Sequence, residues 1–300
     1  MLKRFLRIHT VFHRTLLSVM EHDCFNVAQS AAYSAMISLF PALVIAAFFI
    51  GVLPYTAALR FQLDLFFSSI LPSDVTPVLQ SYFATTHQNP QSTRAILVGI
   101  FVSVTGASSV IATFMEGIRR AHGLPPDCWT FWQRRARAYL LVPLSLIPLA
   151  VASLLVVFGH LIVTTWLVMH LPFVRTSIYV IAVVVRWTVA FMISIGIIAL
   201  IYHMGTPMRQ SWKRTIPGAV LATAMWFLTT LTFGWYVTRF ANYSQVYGSL
   251  GAGIALLFWL YIISLSVLFG AEFNAQYNAY FFNRPETDLS SSSAQTPSSA

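Results

Sequence analysis

From Val246 to Tyr277 the chain reads VYGSLGAGIALLFWLYIISLSVLFGAEFNAQY, and about two dozen of these residues pass without a charge. A run that long and apolar can cross a bilayer, which needs roughly 20 residues at about 1.5 Å each. Its glycine-rich opening and its acid, Glu272 beside Gly270, Ala271 and Asn274, are too particular for a generic lipid anchor. Composition agrees with a membrane chain. Hydrophobic residues make up 57% of the 300 and charged residues only 9%, with a mean hydropathy of +0.70. Soluble domains carry about a quarter charged residues, so this surface must face something other than water.

Five further runs match the last one. The six expected spans are Ser30–Leu53, Ala95–Met115, Tyr139–Met169, Ser177–Ile201, Ile216–Val237 and Tyr247–Ala271. The fold class is therefore all-α: a polytopic membrane protein with six transmembrane helices. Residues 1–29 form an N-terminal segment, 30–277 the membrane domain, and 278–300 a Ser-rich tail expected to be disordered. The third run is longer than a bilayer needs and holds Pro143 and Pro148, which predicts a helix that is tilted, kinked or projecting.

Basic residues set the orientation. One side collects Lys3, Arg4, Arg7, Arg14, Arg119, Arg120, Arg134, Arg135, Arg137, Arg209, Lys213, Arg214 and Arg284, which is 13 of the 18. The other holds Arg60, Arg94, Arg175 and Arg239, and Arg186 lies inside a span. Both termini are thus expected in the cytoplasm. This placement explains the net charge of +9 without nucleic acid, which is not expected as a partner. The loop arginines Arg119, Arg120, Arg134, Arg135 and Arg137 are candidate contacts for anionic lipid headgroups of the inner leaflet.

Leu2, Phe5, Leu6, Phe12 and Leu16 share much of one helical face, so the N-terminal segment reads as an amphipathic helix on the membrane surface. A transit peptide is the alternative; a cleaved signal is disfavoured because His9, His13 and Arg14 interrupt the apolar run. Residues 54–92 are too polar to span, yet apolar residues recur at helical spacing on either side of Pro72-Ser73-Asp74. They predict an extracytoplasmic amphipathic hairpin between helices 1 and 2. Cys24 and Cys128 match no CxxC or metal spacing, and no disulfide is expected on a cytoplasmic side.

Polar residues inside the spans are the candidate site. Ser30, Ser34 and Ser38 form a stripe at four-residue intervals, and Pro41 frees the carbonyl of Ile37 near mid-span. The stripe is either a close helix contact through small residues or the wall of a polar cavity with a hinge at Pro41. Thr105, Ser109, Ala112 and Glu116 share a face of the second span that leads to a carboxylate at the cytoplasmic edge. Glu272 lies at a similar depth on the sixth. Each acid is either an interfacial partner of Arg119, Arg120 or another basic loop residue, or a cytoplasmic gate, cation or proton site. Arg186 lies about 13 Å below the outer end of the fourth span, where a charge costs roughly 2.5–3.5 kcal/mol by insertion scales. It either snorkels or bonds freed carbonyls, or it faces a wet cavity and holds an anionic group.

Catalytic patterns are missing from the sequence. Eight histidines are scattered without HExxH or HxH, and the nine acids form no cluster. Metal-dependent nuclease chemistry needs several converging ligands, and no P-loop occurs. No catalytic residue, cofactor or metal is expected.

Four segments carry a resemblance: AAYSAMISLFPALV (Ala31–Val44), TGASSVIATFMEGIRRAHG (Thr105–Gly123), IPGAVLATAMWFLTTLTFGWYV (Ile216–Val237) and the closing run. Together they resemble the YihY/BrkB family of bacterial inner-membrane proteins, once labelled ribonuclease BN. The most specific parts are Tyr247-Gly248, Trp259-Leu260-Tyr261, Gly270-Ala271-Glu272 and Pro217-Gly218-Ala219. The resemblance implies six helices, a place in the bacterial cell membrane and an envelope or transport role. Two functions compete for the chain. One is transport or hand-over of an envelope lipid or small anionic solute; the other is a structural or envelope-assembly scaffold, with a second copy or an envelope protein as partner. A membrane-bound hydrolase ranks third.

Overall fold

The computed structural model describes residues 2–52, 91–170, 175–208, 211–240 and 249–281, and every regular element among them is helical. Seven α-helices follow in order: α1 (Leu2–Glu21), α2 (Cys24–Val52), α3 (Gln91–Ala121), α4 (Phe131–His170), α5 (Arg175–Met204), α6 (Trp212–Phe240) and α7 (Ser249–Phe281). A 3-10 turn, Pro126–Cys128, precedes α4. Helices satisfy their own backbone, which is what hydrocarbon demands of a spanning segment. Among the described residues α3 to α7 each carry a stretch long and apolar enough to cross a membrane. The first expected span falls on α2, whose side chains are described as far as Ala42. The expected hairpin, apart from its last two residues, lies outside the described residues, as do Tyr247 and residues 282–300 of the Ser-rich tail, whose first four residues are helical instead, as the end of α7.

Consecutive helices from α2 to α7 pack pairwise, and α7 returns to α2, which closes the bundle. The last helix is also its centre: α7 touches α1, α2, α3 and α6, and 39% of its apolar window is buried, against 6% for α5. On α5 the outward residues Val180, Ile181, Val184, Val185 and Met192 are exposed. Such an apolar exterior is what lipid covers. The described core gathers where the basic loops begin, from Val19, Cys24, Val27, Ala28 and Ala31 to Phe114, Ile118, Tyr202, Ala219, Ala222, Leu268 and Ala271.

Small residues set the closest crossings. At the α6–α7 crossing, a Cβ added to Gly218 would lie 2.2 Å from the Gly270 carbonyl oxygen, and one on Gly270 would lie 2.5 Å from that of Gly218. Pro217 cannot donate a helical hydrogen bond, and α7 supplies bonds to this stretch instead. The Gly218 amide donates to Asn274 Oδ1 at 2.7 Å, and Asn274 Nδ2 donates to the Thr215 carbonyl at 2.8 Å. At the α2–α3 crossing, Gly106 lies against Ser38, and Ser103 Oγ donates to the Ser38 carbonyl at 3.1 Å.

Two turns fix the site. Gly123, at φ +62°, ends α3 in a left-handed cap, with its amide on the Arg120 carbonyl and that of Leu124 on Arg119. Asp23, at φ 62°, turns the chain between α1 and α2, and its carbonyl accepts from the Val27 amide. Aspartate tolerates this conformation better than most residues. The amphipathic α1 packs Val11, Thr15, Ser18 and Val19 inward, with Phe12 against Phe269 of α7, and leaves Leu16, Leu17 and Met20 exposed. It is therefore docked on the bundle as well as apolar outside.

The third span differs from its expected bounds. Its helix is 40 residues, about 60 Å at 1.5 Å per residue, and continues through Pro143 and Pro148. That is about twice the hydrocarbon thickness, more than tilt can absorb, so part of the helix projects. The sixth also runs longer: α7 passes Glu272 and ends at Phe281.

Candidate functional site

A cavity of about 420 Å³ opens between the starts of α2 and α4 and the end of α3. Asp23, Asn26, Val27 and Ser30 line one wall; Ser109, Ala112, Thr113, Glu116 and Arg120 line the second; Arg134 and Arg135 form the third. The first two sets recur three and four residues apart, so each is one face of one helix. Sequence spacing thus anticipated the Ser109–Glu116 wall. It also marked Ser30, though not the Asp23-Asn26 pair before it.

Glu116 anchors the basic side. Arg119 holds it through two contacts, Nη2 to Oε1 at 2.6 Å and Nε to Oε2 at 3.0 Å. Arg120 Nε reaches Oε1 at 3.1 Å and Arg134 Nη1 reaches Oε2 at 3.5 Å. Three guanidinium groups on one carboxylate leave a positive excess. Arg135 adds to it: its Nη1 donates to Ser109 Oγ at 3.2 Å, its guanidinium lies 5.1 Å from the Tyr139 ring centre, and it has no carboxylate partner among the described residues. Around the cavity, three arginines stand against Asp23 and Glu116. The field at its mouth favours an anionic group with hydroxyl- and amide-bonding oxygens.

The other expected site residues separate from this cavity. Arg119 turns to Glu116 and to the Leu124 carbonyl, and Arg137 covers Trp129 at 4.8 Å. Ser34 is half-buried one turn beyond Ser30, and Ser38 donates to the Ala35 carbonyl at the α3 crossing. Pro41 lies inside α2, which runs through it unbroken. Arg186 is on α5, away from the three cavity walls, half-buried, with its Nε buried and without a hydrogen-bond partner among the described residues.

Of the two alternatives for Glu272, pairing with a basic loop residue is not the one seen. Glu272 pairs with neither Arg119 nor Arg120, since both face Glu116, and it does not sit in an exposed interface. Its side chain is fully buried. Oε1 lies 2.8 Å from His22 Nδ1, within hydrogen-bond distance, and accepts from Cys24 Sγ at 3.5 Å, whereas Oε2 is buried without a partner among the described residues. Both partners come from the α1–α2 turn, on either side of Asp23. Burial, and then the neighbouring Glu272, push the Cys24 thiol up to about 12. Nothing in sequence spacing joins positions 22, 24 and 272. The two cysteines are free thiols, Cys24 buried and Cys128 half-buried.

Long apolar helices around a closely crossed core, with basic ends gathered about a polar cavity, define a multi-pass α-helical membrane protein. The chain belongs to the virulence factor BrkB family, whose model matches residues 15–294. It is 27% identical to the ribonuclease-like protein YfkH of Bacillus subtilis, over 85% of this chain and 90% of that one. It is also 27% identical to a UPF0761 membrane protein of Tolumonas auensis (88% and 84% covered) and 26% identical to one of Vibrio cholerae (91% and 89%). No solved structure matches the chain. Two of the motifs that carried the resemblance most specifically, Pro217-Gly218-Ala219 and Gly270-Ala271-Glu272, meet at the α6–α7 crossing.

Proposed function

We propose that this chain moves or hands on an anionic envelope lipid or small anionic solute, and takes its charged group into the cavity between α2, α3 and α4. The observation that carries the reading is Arg135, oriented by Ser109 and Tyr139 and paired with no carboxylate among the described residues. Arg120 and Arg134 flank it, while Ser30, Asn26 and Thr113 offer hydrogen bonds. Anionic headgroups on the cytoplasmic side are the partners such a cavity suits. A charge-assisted hydrogen bond contributes about 1.5–3 kcal/mol, or roughly ten- to a hundredfold in affinity.

The test is retention of anionic lipid by protein in nanodiscs that mix anionic and zwitterionic lipid. Arg135→Gln is expected to lose at least tenfold in anionic-lipid affinity, and Arg137→Gln, which stacks on Trp129 instead, to lose little. Equal retention by both variants and the parent would overturn the reading. The scaffold alternative draws on the tight Ser38–Gly106 crossing, where part of the serine stripe serves packing.

A further inference from the structure

We propose that Glu272 is a proton-binding carboxyl, loaded and unloaded from the cytoplasm through the imidazole of His22. This goes beyond the cavity reading and does not rest on it.

An ionised carboxylate spreads its charge over two oxygens and calls for donors on both. At Glu272 only Oε1 has them, from His22 and Cys24; Oε2 is buried with no partner among the described residues. A carboxyl needs one acceptor for its proton, and His22 Nδ1 stands 2.8 Å from Oε1. Its remaining oxygen is then an uncharged carbonyl, which is far cheaper to leave bare than a charged one. One proton lies between the residues: on Nδ1 when the acid is a carboxylate, on Oε1 when it is a carboxyl.

His22 connects this site to water. Its side chain is 29% exposed while that of Glu272 is fully buried. Loading balances simply. Nε2 of a neutral imidazole takes a proton from solvent, Nδ1 passes its own to Oε1, and the ring is left as the other neutral tautomer. Unloading is the reverse, and no other reactant is needed. An imidazole suits the task because one ring nitrogen can take a proton while the other gives one up.

The charged and titratable neighbours come from several elements. The α1 end contributes Glu21, the turn contributes Asp23 and Cys24, and Arg120 of α3 acts on Cys24. From α5, the Tyr202 hydroxyl stands by Gly270 and donates to the Val267 carbonyl, while α6 presents Gly218 and Ala222. Among the described residues no arginine or lysine forms an ion pair with Glu272. A cation there would hold the acid permanently ionised; a shared proton leaves it free to change.

Infrared difference spectroscopy on the purified full-length protein tests this directly. As the pH is lowered from about 9 to about 5, a carboxyl C=O band should grow in. It should lie at the high-frequency end of the carboxyl range, because Oε2 accepts no hydrogen bond from the described residues. Glu272→Gln should abolish the band and Glu116→Gln should keep it. After a rapid pH jump, His22→Ala should slow its appearance at least tenfold. An unchanged band in Glu272→Gln overturns the site, and an unchanged rate in His22→Ala overturns the relay. Should Glu272→Gln fail to fold, a Glu21→Gln, Glu116→Gln, Glu286→Gln protein labelled with carboxyl-13C glutamate has Glu272 as its sole glutamate. An isotope-shifted band there supports the proposal, and its absence overturns it.

Discussion

Adding one methyl group at Gly218 tests the account of the bundle's centre. The new Cβ would lie 2.2 Å from the Gly270 carbonyl oxygen and 2.5 Å from Asn274 Cγ. Ordinary non-bonded contacts are about 3.5–4.0 Å, so α6 and α7 must part by more than about 1 Å. Overpacking of that kind costs about 1–3 kcal/mol. The same displacement pulls Asn274 from the Gly218 amide and the Thr215 carbonyl, each bond worth about 0.5–1.5 kcal/mol. Together the loss is about 2–6 kcal/mol. At about 2–4 °C per kcal/mol for a chain of this class, Tm in detergent should fall by roughly 10 °C. Gly234, on the same helix, is the control, since a Cβ there meets nothing within 4 Å. Alanine in a helix is favoured over glycine by about 0.5–1 kcal/mol, so Gly234→Ala should leave Tm level or slightly raised. Equal Tm values for the two variants would refute the crossing as described.

Two further outcomes follow from buried groups. With the Cys24 thiol pushed up from 9.0 to about 12, its thiolate fraction near pH 8 is about a thousandfold below that of an ordinary thiol, so a maleimide should modify Cys128 alone until the chain is unfolded. Two thiols reacting at one rate would contradict the packing of Cys24. Replacing Arg186, whose Nε is buried without a partner among the described residues, by Met should raise Tm by a few degrees, as is seen when under-satisfied buried charges give way to apolar side chains. A fall would show that the guanidinium holds a partner.

How much of this was legible in the chain depended on distance along it. The face Ser109, Ala112 and Glu116 was readable because three- and four-residue spacing is a property of one helix. The pairing of Glu116 with Arg119 and Arg120 was readable for the same reason, and the structure has it. Glu272 was noticed as an oddity in an apolar run, with an ion pair and a gate, cation or proton site left open, since its imidazole lies 250 residues earlier. The same distance hid the reason why Pro217-Gly218-Ala219 and Gly270-Ala271-Glu272 are both so particular. Each is half of one crossing.

Hydropathy and the placement of lysine and arginine were enough to establish a helical membrane protein and to nominate its basic side. Both follow from transfer of single residues between water and lipid, which needs no knowledge of neighbours. Which acid is ion-paired and which is sealed in beside a histidine was decided only by packing. Burial and hydrogen bonding belong to pairs of helices, and the turn at Asp23 brings positions 22 and 24 to α7 in a way no local pattern encodes.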